Sequence, residues 1–193
     1  MSNLRLATDL DRIERGIERL GLTATIGFLR DGMPADHVRE ALHDVGLSSS
    51  PELEAWYAWH DGAAGGLLGE LWITPGFYPC TLEEVVANYR TFVGDERWRT
   101  GWLPLLADGG GDFFVVDQSD PLWPIRIFLI DEIDRPVTYL SLTALAATLA
   151  DAFDESAIVL DESGTLDFLD ELGTDPFVGI ARRHNPGVEW WTD

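Results

Sequence analysis

The chain has 193 residues, with 34 Asp and Glu residues against 13 Arg and no Lys, so its formal net charge is −21. Apolar residues make up 46% of the sequence, which is enough for a buried core and excludes a wholly disordered chain. The shortage of cations argues against nucleic acid as a partner, because phosphate groups are held by clustered Lys and Arg. The same negative field would repel an anionic membrane and attract basic surfaces.

The acidity could also arise without any binding partner. Arg without Lys, together with abundant Ala, Gly and Asp, is typical of GC-rich coding, and a salt-adapted proteome is acidic as a whole. Cys80 is the only cysteine, which rules out an intrachain disulfide and a cysteine-based zinc site. The first residues lack the apolar core of a signal peptide, and no apolar run approaches the ~20 residues that span a bilayer. We therefore expect a soluble, cytoplasmic protein.

Three helices are predicted before residue 62. Residues 3–20 place apolar side chains at spacings of three and four, which is the pattern of one helical stripe. A second helix is predicted over residues 35–45. Residues 48–52 (Ser-Ser-Ser-Pro-Glu) are strong helix-start signals, with a Ser cap followed by Pro in the first turn. The helix that follows is predicted to carry His60 on its apolar face and to end at Asp61-Gly62.

The middle of the chain changes from helix to sheet. A short strand is predicted over residues 68–74, and Thr81 and Glu84 form a capping box for a helix that ends near Gly94. Short apolar runs separated by tight turns then predict an antiparallel meander, after which Ser141 caps a further helix. Helices followed by a sheet and another helix indicate an α+β fold with an antiparallel sheet flanked by helices. The predicted strands of the meander are Trp102–Leu106, Phe113–Asp117, Ile125–Ile130 and Val137–Leu140.

Residues 154–193 form a predicted acidic C-terminal extension, packed on the same domain as residues 1–153. A hairpin is predicted from residues 157–160 and 165–169, followed by a short helix from Asp175-Pro176 to about residue 184.

Two blocks of the sequence resemble the SUKH superfamily, which includes fungal cell-wall assembly regulators and bacterial immunity proteins against toxins. The first block is a Pro-led helix that ends in Trp59, His60, Asp61 and Gly62, although the commoner residue at that turn is Asn. The second is the series Trp102-Leu103-Pro104, Gly110-Gly111-Asp112-Phe113 and Val116-Asp117, in the order and spacing typical of the family.

The resemblance covers roughly residues 1–153 and implies an α+β fold without catalytic residues, whose members act by binding other proteins. The extension after residue 153 exceeds the usual domain of the family. The residues that the resemblance marks as fold-keeping are Trp59, Asp61, Gly62, Trp102, Pro104, Gly111 and Asp112.

The sequence offers little chemistry for catalysis. Asp108, Asp112, Asp117 and Asp120 crowd around a glycine turn, where they could bind calcium or magnesium, but their spacing is not that of an EF-hand and favours turn formation. No nucleophile elbow or phosphate loop is present. We expect no catalytic residue, no metal and no cofactor, and Cys80 is interpreted as a buried or inert thiol.

The acidic surface points to a basic protein partner. The leading hypothesis is an immunity protein that neutralises a toxin, because many toxins are nucleases with basic faces that an acidic protein can cover. A regulatory scaffold with several partners is the alternative, and a metal-dependent hydrolase is a distant third. The C-terminal Trp pair either docks on the domain, which is favoured, or marks an interface. The predicted partner-binding residues are Asp108, Asp112, Asp117, Asp120, Asp131, Glu132, Asp134, Trp190 and Trp191, with Asp161, Glu162, Asp167, Asp170 and Glu171 as a second patch.

Overall fold

The computed structural model describes residues 2–170 and 175–192 and shows helices packed on antiparallel sheets, which confirms the α+β prediction. The helices are α1 (Ser2–Arg19), α2 (Thr23–Phe28), α3 (Ala35–His43), α4 (Pro51–Trp59), α5 (Leu82–Phe92), α6 (Leu142–Asp154) and α7 (Pro176–His184), with 3-10 turns at Leu68–Glu70 and Glu189–Trp191. The strands are β1 (Leu29–Asp31), β2 (His60–Ala63), β3 (Tyr78–Pro79), β4 (Trp102–Ala107), β5 (Phe113–Asp117), β6 (Ile125–Phe128), β7 (Val137–Tyr139), β8 (Ile158–Leu160) and β9 (Leu166–Phe168).

The main sheet has five antiparallel strands in the order β3-β4-β5-β6-β7, and β4 to β7 are the predicted meander. Its register shifts between Pro104 and Leu106, so β4 bulges at the residue between them. Proline has no amide proton for the ladder, and bulges are one of the few sheet positions that accept it. At the bulge, the Leu105 carbonyl accepts a hydrogen bond from the Cys80 amide at 3.0 Å. This bond holds the β3 segment at the edge of the sheet.

Both faces of the main sheet are covered. On one face the Phe92 ring of α5 packs against the rings of Phe113 and Phe128, at centroid distances of 5.3 and 5.8 Å. On the other face Val116 lines a small cavity together with residues of α4 and α6. The predicted apolar stripe of α1 is fully buried at Leu6, Leu10, Ile13 and Ile17, whereas its last member, Leu20, is half-buried and lies just after the helix ends.

The predicted junction between the third helix and its turn is wrong by a few residues. Helix α4 ends at Trp59, and His60 begins strand β2, which pairs with β1. His60 is half-buried, and its Nδ1 lies 2.8 Å from the Arg30 carbonyl. The stripe pattern failed here because pairing with a distant strand replaced the last helical turn. Neither β1 nor α2 is predicted from the sequence.

The predicted strand over residues 68–74 is also wrong. Leu68–Glu70 is a 3-10 turn, in which the Glu70 carboxylate accepts a hydrogen bond from the Leu67 amide at 2.8 Å. Thr74 forms only a single bridge with Phe77 around the Pro75-Gly76 turn. The hydrogen bond between Glu70 and the Leu67 amide closes a turn, and this turn is incompatible with the extended backbone of a strand.

The segment after Phe153 contains the hairpin β8–β9 and helix α7, at nearly the predicted positions. Helix α7 packs against α6, and the buried Asn185 side chain accepts a hydrogen bond from the Leu140 amide at 3.0 Å and donates one to Thr148 at 3.1 Å. Among the helices of the described residues, none is long and apolar enough to cross a membrane.

Gly62 marks the closest backbone approach between β2 and the start of α5. Its φ is +65°, and an added Cβ would lie 2.3 Å from the Thr81 amide nitrogen and 2.5 Å from the Cys80 carbonyl carbon. The neighbouring Asp61 carboxylate accepts a hydrogen bond from the Leu82 amide at 2.8 Å, so the same junction also caps α5. Both residues therefore have a structural role that the backbone geometry explains.

We expect Gly62→Ala to destabilise the protein far more than Gly46→Ala. Both glycines have positive φ, but an added Cβ at Gly46 meets nothing within 4 Å. Gly46→Ala should cost the strain of a left-handed residue, about 1–2 kcal/mol. Gly62→Ala should add an overpacking penalty of roughly 1–3 kcal/mol, because the obstructing atoms are backbone. Urea unfolding of both variants measures the difference, and equal losses would contradict the close approach.

Candidate protein-binding surface

The loop between β6 and β7 carries the most exposed acidic cluster of the main sheet. We call residues 129–136 the acidic loop. Asp131, Glu132 and Asp134 are exposed, and Ile133 between them is 94% exposed. None of these three carboxylates makes an ion pair with a residue in the described part of the chain. The loop therefore presents free negative charge around an apolar tip.

A cavity beside the acidic loop has a volume of about 670 Å³. It brings together two groups of residues predicted to bind a partner, the loop acids and the C-terminal tryptophans. Glu132 and Asp134 line it from the loop, and Trp190 lines it from the C-terminal 3-10 turn. We call it the tryptophan cavity. An apolar floor with acidic edges suits a protein partner that brings both an apolar side chain and basic groups. The rest of its lining consists of Ile127, Leu129, Arg135, Pro136 and Glu189.

The C-terminal Trp pair divides between the two predicted roles. Trp191 is only 8% exposed, its ring packs on Tyr139 and Phe177, and its indole donates a hydrogen bond to the Thr138 carbonyl. It is therefore a docking residue, and its assignment to a partner surface is wrong. Trp190 is 46% exposed at the tryptophan cavity and keeps the predicted surface position.

Backbone hydrogen bonds from neighbouring segments hold the acidic loop in place. The Ile130 amide donates to the Asp112 carboxylate at 2.8 Å, and its carbonyl accepts from Arg97 Nη1 at 3.2 Å. At the other end of the loop, Arg126 Nη1 donates to the Arg135 carbonyl at 2.9 Å. The loop is thus fixed at both ends, so its acidic side chains are presented by an ordered backbone.

Arg135 lines a second cavity as well as the tryptophan cavity, and so do Glu132 and Asp134. Its guanidinium lies over the Phe128 ring, 4.3 Å from the centroid. Burial and the nearby positive charge of Arg97 lower its pKa below the ordinary value of 12.5. The second cavity has a volume of about 660 Å³, and we call it the arginine cavity. Its lining residues are Glu96, Arg97, Arg99, Trp102, Arg126, Ile130, Asp131, Glu132, Ile133, Asp134 and Arg135.

The acids predicted around the glycine turn are used inside the fold. Asp108 Oδ1 accepts hydrogen bonds from the amides of Gly110, Gly111 and Asp112 at 2.8–3.0 Å. Asp120 accepts one from the Leu122 amide at 2.9 Å. These half-buried carboxylates shape turns, so they offer a partner less than the acidic loop does.

Asp117 does not contact a partner surface, and its assignment to one is wrong. It is 2% exposed, and its carboxylate accepts hydrogen bonds from Ser119 and from Arg126 Nε, the latter at 2.7 Å. Burial alone would raise the pKa of Asp117, but these hydrogen bonds outweigh it and leave the pKa below its ordinary value of 3.8. Asp117 is therefore an internal anion that fixes Arg126 beside the arginine cavity.

The remaining residues of the motif blocks occupy structural positions. Trp59 donates a hydrogen bond to Glu14 at 3.2 Å and packs edge-on against Trp56. Trp102 is buried in the sheet core, and Gly111 adopts a φ of +114°, which favours glycine.

The second predicted acidic patch lies on the β8–β9 hairpin and after it. Asp161 accepts hydrogen bonds from Ser163 and Thr165 within its own turn, which lower its pKa to about 2. Glu162, Asp167 and Asp170 are exposed, and Glu171 lies outside the described residues. Asp161 is thus a turn residue, and the patch lacks an exposed tryptophan like Trp190.

Groups that could react or bind metal are poorly placed for either role. Cys80 is buried, and burial raises the pKa of its thiol well above the ordinary value, so the thiolate that would act as a nucleophile is disfavoured. Within residues 2–170 and 175–192, no three His, Cys, Asp or Glu side chains meet in an arrangement that could hold a metal ion.

The four arginines of the arginine cavity are a group that the sequence does not predict. Arg97 and Arg99 precede β4, whereas Arg126 and Arg135 lie on and after β6. The pairing of β4, β5 and β6 brings these segments together, and no spacing along the chain indicates it. The one available signal is local: four of the 13 arginines fall within residues 97–135 of a chain that is otherwise strongly acidic.

Comparison with known proteins adds no relative. No protein-family model matches the chain, and no curated protein matches its sequence. The SUKH resemblance therefore stays a prediction that depends on the two motif blocks.

We expect Asp117→Asn to lower stability at pH 7 and to have a smaller effect in acid. The folded pKa lies below the unfolded one, so the ionised carboxylate stabilises the fold above about pH 3.9 and loses that contribution as the pH falls through the folded pKa. Urea unfolding at pH 7 should show a loss of roughly 1–3 kcal/mol, and the loss should shrink toward pH 2. The exposed Asp11→Asn serves as a control that should change stability by less than about 0.5 kcal/mol. A loss that stays constant across this range would show that ionisation of Asp117 does not stabilise the fold.

Proposed function

We propose that this protein is a non-catalytic binding protein of the immunity type, which neutralises a basic toxin domain. Its contact surface is the acidic loop together with the tryptophan cavity. The observation that carries the proposal is the juxtaposition of three unpaired carboxylates, the exposed Ile133 and the half-exposed Trp190 at one edge of the molecule. The similarity of the two motif blocks to SUKH immunity proteins supports the same function.

The rate of association and the affinity depend on different groups of the protein. A net charge of −21 raises the rate at which a basic partner arrives, because opposite fields steer the encounter. Affinity then depends on a few central groups, and Trp is among the residue types that most often supply it. Trp190 and Ile133 are the exposed apolar groups beside the loop carboxylates, so they are the candidates for that central contact.

The acidic loop is favoured over the patch on the β8–β9 hairpin for two reasons. Asp161 and Asp167 already accept hydrogen bonds from backbone amides of their own hairpin, whereas the carboxylates of Asp131, Glu132 and Asp134 make neither a hydrogen bond nor an ion pair with a described residue. The loop also adjoins a cavity with an exposed tryptophan. A nuclease toxin fits this surface because its substrate-binding face must be basic, and covering that face excludes nucleic acid.

The proposal includes a cytoplasmic location, no cofactor and no nucleic-acid partner. A single buried thiol suits a reducing compartment, since nothing in the sequence could pair with it in a disulfide.

Affinity capture from the source cells tests the function directly. The protein is used as bait at low and then at physiological salt, and the captured protein is purified and assayed for nuclease activity with and without the bait. One basic partner that binds with 1:1 stoichiometry, is released by high salt and is inhibited by the bait is the expected result. Several substoichiometric partners would favour a regulatory scaffold, and no partner at either salt would count against a binding function.

We expect the triple variant Asp131→Ala, Glu132→Ala, Asp134→Ala to slow association with the captured partner by about tenfold or more, because rim charges act mainly on the association rate. The control is Glu162→Ala, Asp167→Ala, Asp170→Ala, which removes the same number of exposed charges elsewhere. Stopped-flow binding at two salt concentrations measures both. Equal slowing by the two sets would mean that net charge alone acts, and that the loop is not the contact surface.

Trp190→Ala should change the dissociation rate of the complex more than its association rate. We expect it to raise the dissociation rate by about thirtyfold or more, as loss of a central aromatic contact of at least about 2 kcal/mol would do. Leu122→Ala is the matched control, because Leu122 is also strongly exposed but lines neither cavity. Surface plasmon resonance gives both rates, and an unchanged dissociation rate in Trp190→Ala would remove the tryptophan cavity from the interface.

A further inference from the structure

The arginine cavity brings several arginines together in a strongly acidic protein. Four of the chain's 13 arginines line it. Two of them are neutralised within the fold, Arg97 by Asp95 at 2.8 Å and Arg126 by Asp117 at 2.7 Å. Arg99 and Arg135 make no ion pair with any residue in the described ranges 2–170 and 175–192. Neither guanidinium has a carboxylate at ion-pair distance among these residues, and Glu132, Asp112 and Asp134 act on Arg135 only through space.

Arg135 is held in a position that suits a bound anion. Its guanidinium lies over the Phe128 ring, and its Nη1 donates to the Asp134 carbonyl at 2.8 Å. Its Nε is buried and has no hydrogen-bond partner. The contact with the ring fixes the plane of the guanidinium. It supplies neither a counter-charge for the guanidinium nor a hydrogen-bond acceptor for Nε. Because Nε itself is buried, a bound oxyanion would be met by Nη2, which makes no hydrogen bond with a described residue.

Arg99 lies against the same aromatic layer. Its guanidinium carbon is 5.8 Å from the Trp102 ring centroid, and the Trp102 and Phe128 rings are 6.3 Å apart. Two adjacent rings therefore carry one unpaired guanidinium each, and both groups line the same cavity. Guanidinium groups bind carboxylate and phosphate oxygens through paired N–H donors, so this placement favours an oxyanion.

The acidic residues of the same cavity limit the size and charge of the ligand. Glu96, Asp131, Glu132 and Asp134 also line it, and they would repel a polyanion such as nucleic acid. A volume of about 660 Å³ is in the range of small-molecule sites. The chemistry thus selects a small ligand with a single oxyanion group over an extended one.

We propose that the arginine cavity is a binding site for a small oxyanion ligand, a carboxylate or a phosphate, held by Arg99 and Arg135. This site is additional to the proposed toxin-binding function and does not depend on it. Arg97 and Arg126 line the same cavity and are held in place by their ion pairs with Asp95 and Asp117.

Arginine side-chain NMR on the whole protein tests the site. Protein labelled with ¹⁵N-arginine is titrated with sodium phosphate in one arm and sodium acetate in the other, at constant ionic strength maintained with chloride. We expect the Nε–Hε signals of Arg99 and Arg135 to shift and to saturate, with a dissociation constant in the millimolar range or below. The arm that saturates at lower concentration identifies the oxyanion. Shifts that rise linearly in both arms would overturn the proposal.

Arginine variants distinguish binding at this site from non-specific attraction of anions to arginine side chains. Arg135→Gln and Arg99→Gln should each weaken binding about tenfold, the effect of losing one charge-assisted hydrogen bond. Arg15→Gln is the control, because Arg15 is exposed on α1, lines neither cavity and makes no ion pair with a described residue. Equal weakening by all three variants would overturn the site. Arg99 is exposed, so Arg99→Gln decides the matter even if Arg135→Gln fails to fold.

Discussion

The hydrogen bond from the Ile130 amide to the Asp112 carboxylate ties the turn between β4 and β5 to the loop that carries the candidate surface. Asp112 lies on that turn, next to Gly111 with its positive φ, and the turn itself is held by Asp108. The conformation of the glycine turn therefore positions the carboxylate that holds the exposed loop. Without the Asp112 bond, the acidic loop would keep only the hydrogen bond from Arg97 at its first end.

Part of the acidity of this protein is internal and part is external. Asp61, Asp112 and Asp117 bind backbone amides or an arginine and are buried or half-buried, so they act on the fold. Asp131 and Glu132 make no such bonds and face solvent. A count of charges therefore overstates what a partner meets, and the distribution of unpaired groups is the better guide. Of the loop acids, Glu132 and Asp134 line the cavity that Trp190 also lines.

Local signals predicted most of the helices and the meander. Ser50, Thr81, Ser141 and Asp175 each cap a helix at the predicted position, because a cap involves an amide only three residues away. One error occurred where a distant segment decides the structure, and another at a local turn that the apolar pattern does not reveal. His60 pairs with a three-residue strand that has no readable alternation, and the run at residues 68–74 forms a turn through Glu70.

The candidate site was predictable to a smaller extent. The acids of the loop were identified because they lie together in sequence, and exposed loops retain charge. The burial of Asp117 could not be seen, since it depends on Arg126 across the sheet. Nor could the different positions of Trp190 and Trp191, because a 3-10 turn points neighbouring side chains in different directions. The arginine cavity required the whole sheet before its members met.

The burial of Cys80 has a consequence for chemical labelling. The chain has no lysine side chain for amine-directed reagents, and its one thiol is shielded in the core with a raised pKa. A cysteine placed at the tip of the acidic loop, in place of Ile133, would therefore be the sole reactive thiol of the molecule. A fluorophore or spin label attached there would report occupancy of the arginine cavity, which Ile133 lines, without background from other thiols.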